Sequence, residues 1–68
     1  MTNSSLLVQY IDKSGYKKSF IAKKLGISAY AFMLKVNNKS EFWASEITIL
    51  CDLLNIPAQD KESIFFAN

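Results

Sequence analysis

The sequence predicts an all-α fold, a compact domain of four to five short helices, and three observations carry that expectation. Apolar residues recur at helical spacing, most clearly Ile47, Leu50, Cys51 and Leu54 at i, i+3, i+4, i+7. Helix-stopping residues separate the apolar stretches: Gly15, Gly26, and Asn55 followed by Pro57. No stretch alternates apolar and polar residues cleanly enough to favour a strand. The 68 residues allow one domain, 1–68, with a modest core. Half of them are apolar and only two are Gly and one Pro, which argues against a disordered chain.

Ser4 or Ser5 is the expected N-cap of a first helix, with Leu7 and Ile11, and Leu6 and Tyr10, spaced four apart. Gly15 suits the left-handed position that ends it. A second helix spans about 18–25. Ile21, Ala22 and Leu25 share its inner face, and Lys23 and Lys24 point away. Gly26 stops it, and Ile27 is an apolar residue inside the turn, explained by burial. Ser28 caps a third helix over about 29–37, in which Phe32 and Val36 face inward with Met33 beside them. Asn37, Asn38, Lys39 and Ser40 make a polar loop. A fourth helix covers about 44–54, with Glu46 in its first turn, where an acid suits the macrodipole. "AQDKES" gives one further helical turn, and "IFFAN" a short apolar tail.

The net charge of +2 conceals an asymmetry: residues 1–40 carry seven Lys and one acid, 7 − 1 = +6, and residues 41–68 carry one Lys and five acids, 1 − 5 = −4. A basic N-terminal part is a candidate binder of polyanions, although a solvated lysine-rich surface is the commoner meaning of such a run. Arg and His are both absent, so there is no guanidinium fork for guanine, no imidazole base and no ready metal ligand. The lone Cys51 has no internal disulfide partner and no His to activate it. Asp60 and Glu62 flank Lys61 in what reads as an exposed turn, not a catalytic pair. No phosphate-cradling Gly loop is present. An enzyme, a metal site, a cofactor and a small-molecule ligand are therefore not expected. "MTNSSLLVQY" lacks the pattern of a signal peptide and no apolar run approaches a membrane span, so a cytoplasmic home is expected.

The informative unit is 18–36: two short helices, a tight turn holding Gly26, and Ala22 four residues earlier, small enough to let the helices cross closely. That is what a helix-turn-helix requires. "FIAKKLGIS", followed by a helix and "NNKSEFWASEITILCDLLNI", resembles the Cro/repressor type of helix-turn-helix domain. More narrowly, it resembles the small Cro-like regulators of Gram-positive phages and prophages. The resemblance covers nearly the whole chain. It implies a sequence-specific DNA-binding repressor that reads double-stranded operator DNA in the major groove, commonly as a homodimer.

Carried onto this chain, the resemblance implies base-edge contacts from Ser28, Ala29, Tyr30, Ala31, Leu34 and Lys35. It implies phosphate contacts from Lys17, Lys18 and Ser19 and from Asn38, Lys39 and Ser40. The chain departs from the family at the early recognition helix, where polar residues usually crowd and here two are Ala. Small apolar side chains still contact the thymine methyl. Leu53, Phe65 and Phe66 are candidate dimer-interface residues, with Ile64 and one Phe turned inward. The alternative is a protein-interaction module, an antirepressor or adaptor, that keeps the fold without operator binding. The apolar "AYAFML" favours that alternative, and the surrounding lysines favour DNA.

Overall fold

The computed structural model describes residues 1–66. Five helices follow one another: α1 (Ser4–Ser14), α2 (Lys18–Leu25), α3 (Ala29–Val36), α4 (Ala44–Leu54) and α5 (Ala58–Phe65). There is no strand among the described residues. Leu7 and Ile11 of α1, Ile21 and Ala22 of α2, Phe32 of α3, Leu50 of α4 and Ile64 of α5 are all buried and meet in one core. Burying a side chain of this size contributes about 1.5–3 kcal/mol. Phe42, in the α3–α4 loop, sets its ring edge-on to Phe32 at 6.1 Å and to Phe65 at 5.6 Å, which closes the core beneath α5.

Three helices end in the same way. Gly26, Asn38 and Asn55 each adopt a left-handed backbone, with φ of 77°, 64° and 55°. After each, the next amide reaches back to an orphan carbonyl: Ile27 N–H to Ala22 O at 3.0 Å, Lys39 N–H to Leu34 O at 2.8 Å, Ile56 N–H to Cys51 O at 2.9 Å. This double-bonded ending lets the chain reverse sharply without leaving buried carbonyls unpaired. Ile56 is buried at the third of these ends, and Ile27 is partly buried at the first.

The structure corrects the sequence reading at both ends of the chain. α1 is capped by Asn3, whose Oδ1 accepts the Leu6 amide at 3.2 Å, not by Ser4 or Ser5. Ser4 instead donates its hydroxyl to the Val36 carbonyl, one of the orphan acceptors at the end of α3. The expected single turn and apolar tail are one eight-residue helix, α5. Its sequence repeats too few apolar residues to announce it; tertiary bonds hold it instead. The Tyr10 hydroxyl donates to Asp60, and the Asn3 amide donates to the Ile64 carbonyl at 2.7 Å. That carboxylate and burial raise the Tyr10 pKa above its ordinary value. Ile64 and Phe65 are buried and Phe66 is exposed, so one Phe turns inward as expected, and burial leaves Phe65 little surface for an interface. Residues 67 and 68 of that tail lie outside the described residues.

Ala22 is 1% exposed at the junction of α2 and α3. Ala22→Leu is expected to overpack this junction and lower stability by about 1–3 kcal/mol. Urea denaturation checks it, and an unchanged midpoint would mean that the helices have slack there.

Candidate nucleic-acid interface

The unit formed by α2, the turn 26–28 and α3 presents one broad surface. Ser28 Oγ accepts the Ala31 amide at 3.0 Å, which sets the start of α3 and leaves Ser28, Ala29 and Tyr30 exposed. Tyr30 is 66% exposed. Ala31 and Leu34 are partly buried beside them. Lys17, Lys18 and Ser19 are exposed at the start of α2. Lys39 and Ser40 are exposed in the loop after α3.

Lys35 does not belong to this surface. Its side chain runs inward, and Nζ meets both carboxylate oxygens of Glu46, at 2.6 and 2.8 Å. Lys35 is 8% and Glu46 5% exposed. The Glu46 Oε1 also accepts the Trp43 amide at 2.8 Å, capping α4. The Trp43 ring lies over the Lys35 ammonium at 5.2 Å. Lys35 therefore joins α3 to α4 and reaches no base. Its partner sits eleven residues away, in another helix, a pairing that helical spacing does not reveal.

Asn38 is also committed elsewhere. Its Oδ1 accepts the Thr2 amide and its Nδ2 donates to the Thr2 carbonyl, each at 2.7 Å. A phosphate contact from the Asn38 side chain would have to compete with that paired bond. Met33, expected beside the core, is 47% exposed. The position one residue past Phe32 turns it toward solvent, and it borders a cleft of about 100 Å³ shared with Val8, Lys18, Ala29 and Asn37. Sequence reasoning missed Met33 because a thioether reads as core, when only the helix phase decides.

The remaining singled-out residues find ordinary places. Tyr16 packs against Phe20, the two rings tilted by 38° with centroids 5.0 Å apart. Cys51 is partly buried, and burial raises its thiol pKa, with an opposing contribution from the Lys61 charge. Leu53 is partly buried against the core. Among the described residues no group of three or more Cys, Asp or Glu side chains could hold a metal ion, and no helix is long and apolar enough to cross a membrane. Comparison with protein-family models, with curated proteins and with solved structures finds no match.

Removing one member of the buried ion pair leaves the other charge unpaired. Lys35→Met is expected to cost about 3–5 kcal/mol. Lys35→Met combined with Glu46→Gln should recover most of that loss, because the amide oxygen still accepts the Trp43 amide and no charge remains buried. Urea denaturation of the three proteins checks it; a double variant no better than Lys35→Met would show that packing, not charge, dominates there.

Proposed function

We propose that this chain is a sequence-specific DNA-binding transcription regulator of the Cro type, with α3 reading operator DNA in the major groove. The observation that supports it best is the placement of the exposed lysines. Lys17 and Lys18 are exposed at the start of α2, Lys18 shares a cleft with Ala29 and Met33 of α3, and Lys39 is exposed three residues after α3 ends. Phosphates flanking a groove require cations spaced around the element that enters it. Affinity then comes largely from counterion release, and α3 supplies the discrimination. A two-fold dimer would place its half-sites about 34 Å apart. Exposed Phe66 and partly buried Leu53 are candidates for that contact.

The second reading is an interaction module without operator binding. The exposure of Tyr30 and Met33 on one helix favours it. Titration of the DNA flanking the chain's own gene, at several salt concentrations, separates the two. A regulator binds with a log–log salt slope of about −0.9 for each phosphate neutralised. No binding at low salt would favour the interaction module.

Single substitutions divide the roles further. Lys39→Ala should weaken operator and random DNA about equally and shorten the salt slope by about one contact. Tyr30→Ala should instead reduce the preference for operator over random DNA. Equal losses on both DNAs from both changes would remove Tyr30 from base reading.

A further inference from the structure

The withdrawal of Lys35 leaves α3 with little hydrogen-bonding capacity on its outer face. From Ala29 to Val36 the only side-chain polar groups are the Tyr30 hydroxyl and the Lys35 ammonium, and the latter is held by Glu46. The Ser28 hydroxyl at the start already accepts the Ala31 amide. Between Ala29 and Val36 there is no amide or guanidinium fork to bond adenine or guanine with two hydrogen bonds; the nearest amide, Asn37, follows the last helical residue. What the face does present is apolar: Ala29, the Tyr30 ring and Met33, beside the cleft of about 100 Å³ floored by Phe32 and Val36.

Among the major-groove edges of the four bases, the C5-methyl group of thymine is the one apolar feature. Lys18 and Asn37 line the same cleft. They bring an ammonium and an amide, both suited to a neighbouring phosphate, next to the apolar surface. We infer that α3 selects its DNA by thymine methyl groups, and that Met33, with Ala29, forms the methyl-reading surface. The inference rests on the DNA-binding reading proposed above. Its substrate is duplex DNA with thymines at the positions facing Ala29 and Met33. Met33 suits this task because an unbranched, polarisable thioether adapts its shape to an apolar contact. Discrimination arises when the methyl group and the thioether leave water together, an effect that a hydrogen-bond inventory does not register.

The test uses the full chain and a random-sequence duplex pool. Duplexes enriched by binding are remade with deoxyuridine replacing thymidine at one position at a time. That change removes a methyl group and keeps the base pairing. The native protein should lose about fourfold in affinity for each contacted methyl. Met33→Ala should bind the thymine and uracil forms equally at one or more of those positions, and Met33→Leu should restore the difference. Met33→Gln, closer in length, repeats the measurement should Met33→Ala fail to fold by circular dichroism. Equal binding of the thymine and uracil forms by the native protein overturns the methyl inference and leaves DNA recognition standing. A thymine preference that survives Met33→Ala and Met33→Gln overturns the assignment to Met33. A pool that yields no enriched sequence overturns the DNA reading itself, and the apolar face of α3 is then left to a protein partner.

Discussion

The Lys35–Glu46 pair is the contact on which the arrangement of the exposed face of α3 depends. Two buried charges in a small domain are costly to desolvate, and the mutual attraction offsets that cost only when the geometry is good. Here it is good: the ammonium meets both carboxylate oxygens, and one oxygen also caps α4 through the Trp43 amide. Net stabilisation is not the main consequence. An apolar pair of the same volume could pack as well, whereas the ion pair penalises any arrangement that separates its partners. It thereby fixes α3 against the start of α4 and sets where the loop 37–43 must run. It also removes the one formal charge that α3 possesses from the surface.

The far side of α3 is held by a different device. The Thr2 backbone and the Asn38 side chain exchange two hydrogen bonds, and Ser4 donates to the Val36 carbonyl. Asn38 is at the same time the left-handed residue that ends α3. One side chain and one backbone conformation therefore join the first residues to the end of α3, and the Asn3–Ile64 bond carries that join on to α5. The start of α3 is set by Ser28, its last turn by Lys35 and its end by Asn38. An eight-residue helix is too short to be stable by its own hydrogen bonds; its position is imposed by these three attachments and by Phe32 in the core.

Local signals made much of this legible. Gly15 and Gly26 mark helix ends because only a residue free of Cβ strain adopts the left-handed backbone readily, and Ser28 marks a helix start because its hydroxyl accepts an orphan amide. The bounds of α2 and α4 follow from such signals plus apolar spacing. What escaped was decided by partners distant in sequence. Lys35 looks solvent-facing until Glu46 is known to lie beside it. Asn38 looks like a loop residue until Thr2 occupies its amide. α5 carries one fully buried Ile and depends on Tyr10 and Asn3 for its anchorage. Met33 failed for another reason: its apolarity was read without the phase that Phe32 and Val36 impose on so short a helix.

If α3 reads DNA as proposed, its apolar face has a quantitative consequence for assembly. Each buried methyl contact contributes about 0.8 kcal/mol, so two or three on one helix supply about 2 kcal/mol, or roughly thirtyfold discrimination. Specific regulators typically exceed their own non-specific binding by about 10³ or more. Under the DNA-binding reading, one copy of this helix falls well short. Two copies related by a two-fold axis add their free energies, which squares the ratio to about 10³ and reaches the lower end of that range. The lysine contacts cannot close the gap alone, because phosphates are the same at every site and raise operator and random affinity together. The poverty of α3 in polar groups is thus itself the argument for pairing on DNA, independent of which surface, Phe66 and Leu53 or another, joins the two copies.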